Sequence, residues 1–134
     1  MVKVLLTSGK RKTAIARATV KEGTGKIRIN SIPLSIYGTP VIRYKIMEPI
    51  ILAGDKSLSK IDIDVTVSGG GYMGQADAVR TAISKSIVQW RKDDKLRKIF
   101  IDYDRTLLAG DSRRTEPKKF GGRSARAKKQ KSYR

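Results

Sequence analysis

From Ile61 to Ser68 apolar and polar side chains alternate without interruption, with Ile61, Ile63, Val65 and Val67 on one side and Asp62, Asp64, Thr66 and Ser68 on the other. A period of two places the first set on the covered face of a strand and the second on its open face, the pattern of a sheet packed on one side only. A glycine cluster follows, Gly69-Gly70-Gly71-Tyr72-Met73-Gly74, and then a predicted helix over residues 75 to about 92. There Val79, Ala82, Ile83, Ser86, Ile87 and Trp90 recur at steps of three and four, so they share one stripe, with Trp90 read as core. Arg80, Lys85, Gln89, Arg91 and Lys92 fall largely off that stripe and predict a basic outer surface; Asp77 is expected in the first turn, where it suits the helix dipole.

Upstream, residues 3–30 read as strands. Ala14, Ala16, Ala18 and Val20 alternate with Thr13, Ile15, Arg17 and Thr19, which predicts a half-buried strand with Arg17 on its open face. Glu22-Gly23-Thr24-Gly25 reads as a hairpin turn, and residues 26–30 as the returning partner, with Ile27 and Ile29 inward and Arg28 outward. Residues 31–40 form a connection punctuated by Pro and Gly. Thr39 as N-cap with Pro40 at the first helical position predicts a short helix whose end Pro49 limits, while residues 50–53 fit helix or strand equally. Residues 93–110 are partly helical, with Leu96, Phe100, Leu107 and Leu108 turned to the body and Gly110 as a stop.

Charge changes this picture. Lys and Arg total 30 against 12 acids, a formal +18 with no histidine, so the excess hardly varies across the physiological pH range. Such a field implies a polyanionic partner, and nucleic acid is the usual one. Residues 1–111 carry 20 basic and 11 acidic side chains, whereas residues 112–134 carry 10 and one, so half of the net charge sits in the final segment. With Phe120, Tyr133 and almost no aliphatic side chains, that segment buries too little apolar surface to offset its ordering entropy and is expected to be disordered free in solution. The reading is a globular RNA-binding body over 1–111 and an extended basic tail over 112–134, in a chain of 134 residues that suits one domain. No stretch approaches the roughly 18 apolar residues of a membrane span, and the start is too short for a signal-peptide core, so a soluble, cytoplasmic protein with no membrane partner is expected.

The absence of Cys and His removes disulfides, a thiolate nucleophile, and the commonest general base and zinc ligand. Gly69, Gly71 and Gly74 do fit the dinucleotide fingerprint between a strand and a helix, and Asp93 and Asp94 fall about where a ribose-binding acid stands. Yet strands of that fold are apolar on both faces, and it needs two mononucleotide halves where only one strand-helix unit is visible. No enzyme activity, cofactor or metal is therefore expected. The free N–H groups at a helix start serve equally for an RNA phosphate. Gly9-Lys10-Arg11-Lys12-Thr13 lacks the glycine spacing of a Walker loop and reads as a basic turn on nucleic-acid phosphate. Asp62 and Asp64 read as solvated or lysine-paired acids. A chromatin-like duplex-DNA binder shares the basic tail and is the competing class of binder.

The stretch Gly69-Gly70-Gly71-Tyr72-Met73-Gly74-Gln75-Ala76-Asp77-Ala78-Val79-Arg80-Thr81-Ala82-Ile83-Ser84-Lys85 resembles the signature of the universal ninth protein of the small ribosomal subunit. The early Gly9-Lys10-Arg11-Lys12-Thr13-Ala14-Ile15-Ala16-Arg17-Ala18 and the ending from Lys118-Lys119-Phe120-Gly121-Gly122-Arg123 to Lys131-Ser132-Tyr133-Arg134 resemble the same family, in its archaeal and eukaryotic branch. The resemblance implies an α+β, two-layer sandwich of a mixed sheet with helices on one face, with a left-handed βαβ crossover. It implies binding of small-subunit rRNA in the head, beside neighbouring ribosomal proteins, and a tail whose last residues approach the peptidyl-site tRNA. Lys10, Arg11, Lys12, Arg17, Arg28 and Arg80 of the body are then expected on rRNA, as are Arg113, Arg114, Lys118, Lys119, Phe120, Arg123, Arg126, Lys128 and Lys129 of the tail. Lys131, Tyr133 and Arg134 would face tRNA. Phe120 can stack on an exposed base or pack on the body, and Tyr133, so near the end, favours RNA.

Overall fold

The computed structural model describes residues 3–129. Its sheet contains strands β1 (Val4–Arg11), β2 (Ala14–Glu22), β3 (Ile27–Ile29), β4 (Ile32–Pro33) and β5 (Ile61–Ser68), in the order β1-β2-β5-β3-β4. β2 pairs antiparallel with both β1 and β5, while β3 runs parallel to β5, so the sheet is mixed. The chain passes from β3 to β5 through β4, a short 3₁₀ turn and helices α1 (Pro40–Ala53) and α2 (Asp55–Leu58). After β5 come α3 (Tyr72–Arg91), α4 (Asp94–Tyr103) and α5 (Thr106–Ala109).

The alternation in the sequence decides which face is covered. Ala14, Ala16, Ala18 and Val20 of β2 and Ile61, Ile63, Val65 and Val67 of β5 are buried, as are Val79, Ala82, Ile83 and Ile87 of α3. Intervening residues such as Arg17 and Thr66 are exposed. The helices therefore lie on one face, and the fold is the expected α+β arrangement. Small residues bring α3 close to the sheet: a Cβ on Gly9 would stand 2.1 Å from the carbonyl oxygen of Ala78 and 2.7 Å from the nitrogen of Ala82. Gly9, at the head of the basic cluster, is thus a packing residue. The buried hydroxyl of Ser86 bonds to Thr7 and donates to the Ala82 carbonyl at 2.8 Å, so this polar member of the stripe is satisfied.

Several expectations need correcting. Residues 26–30 do not return as the hairpin partner of β2. β5 takes that place with eight paired positions, from Ile15↔Ser68 to Glu22↔Ile61, whereas β3 has only three residues to offer. The loop at 23–26 instead wraps the Asp62 carboxylate, whose Oδ1 accepts from the backbone N–H groups of Thr24 at 2.9 Å, Gly25 at 3.1 Å and Lys26 at 3.0 Å. Those bonds, that from Lys26 foremost, hold its pKa below the ordinary carboxylate value. Pro49 does not end α1, which continues to Ala53. Pro49 is buried, and packing along 49–53 outweighs the one backbone bond it cannot make. Thr39 is the N-cap by position and Pro40 follows it, but the Thr39 side chain caps nothing. α3 starts at Tyr72 rather than residue 75, so Asp77 lies beyond the first turn. Trp90 is half-buried, with the Lys3 ammonium 4.4 Å from its ring centroid.

Candidate nucleic-acid interface

The uncovered face of the sheet carries one basic surface. Cross-strand register sets Lys10 beside Ile15 and Ser8 beside Arg17 beside Thr66, so Lys10 and Arg17 project from the same side. Arg28 stands opposite Asp64 on that side, with its Nε 3.3 Å from the carboxylate. Lys21 belongs there too, 3.9 Å from the same carboxylate, and the alternation 17, 19, 21 was signal enough to find it. Lys12 extends the surface from the β1–β2 turn, where it adopts φ 53°. Asp62 is engaged with backbone, so Asp64 is the acid left to neutralise this face among the described residues of β5.

Arg11 and Arg80 do not belong to this surface. Arg11 falls on the helix side of β1, with Leu5, Thr7 and Gly9, and its guanidinium lies 3.7 Å from Asp77 and 3.5 Å from Asp111. Arg80, expected on the outside of α3, is 7% exposed. Its guanidinium joins Glu48 of α1 to Asp104, which it meets at 3.1 Å, and so ties three helical segments together. Burial pushes the Asp104 carboxyl up, but hydrogen bonds from Thr106 and Arg80 outweigh it and leave the pKa below the ordinary value. Nothing in the local pattern around Arg80 marked it as structural. Its partners lie 32 and 24 residues away.

The glycine cluster also has an internal use. Gly69 at φ 80° and Gly70 at φ 65° turn the chain where a Cβ would stand 2.5 Å from the Thr13 carbonyl oxygen and 3.1 Å from the Ala14 nitrogen, respectively. Backbone of the β1–β2 turn therefore fills the space that a pyrophosphate would need. Gly71 alone of the three is open, as the N-cap of α3 without a capping side chain. Asp93, set against a ribose role in the sequence, is the N-cap of α4 and accepts from Lys95 N–H at 2.9 Å.

The tail leaves the body at a fastened point. Gly110 closes α5 with φ 75°, and Asp111 forms an isolated parallel bridge with Arg11. Arg11 also donates to the Arg113 carbonyl at 3.0 Å, while Arg113 grips Asp111 at 2.8 Å. The side-chain bond from Arg113 is the main reason that the Asp111 carboxyl is held far below the usual carboxylate range. Further on, Glu116 takes Lys119 at 2.6 Å and Arg126 at 3.0 Å, and the Lys129 N–H reaches the Gly121 carbonyl at 3.1 Å, so the chain doubles back around Gly121 at φ 89°. Phe120, at that bend, is 105% exposed; it does not pack on the body. Arg114, Lys118, Arg123, Lys128 and Lys129 are exposed, with no carboxylate within ion-pair distance among the described residues. Lys131, Tyr133 and Arg134 lie outside the described residues.

The chain that forms this bare basic sheet face and cationic tail matches the model of the ribosomal protein S9/S16 family over residues 9–134. The chain belongs to that family. It is also 56% identical, over 133 residues covering 99% of this chain and 100% of its relative, to the small ribosomal subunit protein uS9 of Methanothrix thermoacetophila. As a member of the S9/S16 family it is a structural, ribosome-associated component of the small subunit and not an enzyme. No described helix is long and apolar enough to cross a membrane.

Proposed function

We propose that this S9/S16 family member binds rRNA of the small-subunit head through the bare sheet face and the tail, and that its last residues, Lys131, Tyr133 and Arg134, meet the peptidyl-site tRNA in cytoplasmic ribosomes. The observation that carries this reading is the state of the tail: a run of exposed cations without acidic partners beside a fully exposed Phe120. Each phosphate that such a cation neutralises releases a counterion, and an exposed ring adds base stacking. On the body, Lys10, Lys12, Arg17 and Arg28 supply phosphate contacts from a rigid surface, which fixes register on RNA without reading sequence. Arg113, Arg114, Lys118, Lys119, Arg123, Arg126, Lys128 and Lys129 extend those contacts along the tail. Lys119 and Arg126 exchange Glu116 for phosphate there.

Two truncations separate the halves of the reading. Removal of residues 131–134 should leave rRNA binding and subunit incorporation intact and weaken peptidyl-site tRNA binding, measured by filter binding on purified small subunits. Unchanged tRNA affinity sinks the tRNA contact. Removal of 112–134 should weaken rRNA binding itself, and duplex DNA competing equally with rRNA at physiological salt would overturn the rRNA assignment.

A further inference from the structure

Helix α1 carries apolar side chains on both its covered and its outer side. It buries Ile42, Ile46 and Pro49 inward, yet Val41, Tyr44 and Ile51 on its other side are 65%, 69% and 68% exposed. Its charged side chains Lys45 and Glu48 pair with Asp77 and Arg80 of α3, which leaves apolar side chains as much of what the outer side presents. Positions 41, 44 and 51 are separated by three and seven residues, so they form a stripe rather than a scatter. A groove of about 820 Å³ between α1 and the β3–β4 segment meets that stripe at Tyr44. Its apolar walls include Ile27, Pro33, Leu34, Tyr44 and Met47, and Ile36, next in the chain to the lining residue Ser35, is 68% exposed. Isolated apolar residues on a surface need no explanation, but a continuous apolar groove marks an interaction site.

Charge identifies the occupant. Lys26, Arg28 and Arg43 line the groove, and among the described residues no carboxylate does. Arg28 already faces Asp64, but the Nε of Arg43 is buried with no acceptor, while its Nη1 donates to the Ser35 carbonyl at 2.8 Å. A second copy of a chain with net charge +18 is repelled from such a rim. Nucleic acid is a poorer fit, because protein–nucleic-acid contacts are polar and cationic whereas these walls are aliphatic and aromatic. We infer that the α1 groove is a protein-docking site that takes an extended segment of a neighbouring small-subunit protein, with apolar side chains seated against Leu34, Tyr44 and Met47 and carboxylates facing Lys26 and Arg43. Binding to the subunit is then divided: RNA on the bare sheet face and tail, protein on the α1 side.

Photocrosslinking in assembled small subunits tests this inference. With p-benzoyl-phenylalanine in place of Tyr44 and, separately, of the exposed groove residue Ser35, irradiation should yield a protein–protein adduct. Mass spectrometry should map it to one segment rich in apolar residues and Asp or Glu. The same probe in place of Phe120 should react with rRNA, which checks the tail reading independently. The double substitution Lys26→Glu with Arg43→Glu should lower the Ser35 adduct yield at least about 10-fold, since like charges at an interface repel strongly. An rRNA adduct, an adduct with a second copy, or no adduct from either groove probe while the Phe120 probe reacts would overturn the docking site. Exclusion of both groove-probe proteins from subunits, with the Phe120-probe protein incorporated, supports the site only if the Lys26→Glu, Arg43→Glu protein is excluded as well; normal incorporation of that charge-reversed protein counts against it.

Discussion

Body and tail carry the same net charge and differ in what their ion pairs join. Within the body, Arg11, Lys45 and Arg80 are spent on Asp77, Asp111, Glu48 and Asp104, and Arg91 faces Asp93. In the described tail one acid, Glu116, serves Lys119 and Arg126, while five other cations beyond Arg113 have no acidic partner. Formal charge alone is therefore a poor guide to the proposed RNA contacts. What matters is charge that no carboxylate within the fold has already claimed, and five such cations fall within residues 114–129.

Deleting residues 112–134 should break the comparison most severely. The slope of log affinity for rRNA against log salt should flatten by at least about 5, given roughly 0.7 to 0.9 per phosphate contact. The remaining body should still unfold in one cooperative step, and an unchanged slope would remove the distinction between free and engaged charge. Next comes Gly9→Val, which sets a branched side chain against the α3 backbone and should lower stability by about 3 kcal/mol in denaturant melts, with the salt slope untouched. Arg80→Ala should cost about 2 kcal/mol of stability, less than for a fully buried pair because Glu48 and Asp104 are about a third exposed. An Arg80 variant of normal stability that had lost rRNA affinity would return this residue to the RNA surface. Phe120→Ala should leave the melt unchanged and weaken rRNA binding by about 1 kcal/mol, roughly fivefold, as loss of one stacked base does. The smallest effect concerns acid. Asp62 and Asp104 have folded-state pKa values below their ordinary ones, so each contributes stability that is complete above about pH 4 and lost as pH falls through its folded pKa. Asp62→Asn should make the acid limb of the stability–pH curve shallower, and a curve of unchanged steepness would deny the loop-wrapping role of its carboxylate.

What the sequence made legible was whatever is settled locally. The alternation of β2 and β5 and the stripe of α3 name their own buried faces, and 12 of the residues they pick out are in the core. The hairpin at 22–25 failed because turn chemistry says that the chain bends but not which strand lies alongside; β5, almost 40 positions later, has the longer complementary edge. Arg11 and Arg80 failed for a related reason. A lone arginine on a mixed face looks solvated until the distant carboxylates that desolvate it are brought in by tertiary packing. The Asn30-Ser31 turn between β3 and β4, with both residues at positive φ, is the kind of tight connection that Asn favours and was visible in hindsight from composition alone.

The fastening of Asp111 to Arg11 has a kinetic meaning. Arg11 lies one residue from both Lys10 and Lys12, so the tail departs beside the proposed RNA surface of the body. With the body seated on RNA as proposed, the tail's cations would search only the volume within reach of that point, at an effective concentration on the order of millimolar for a short tether. Two modest contacts then behave as one durable one: a tail that lets go for a moment is recaptured before the body can leave, and the protein dissociates only when both release together.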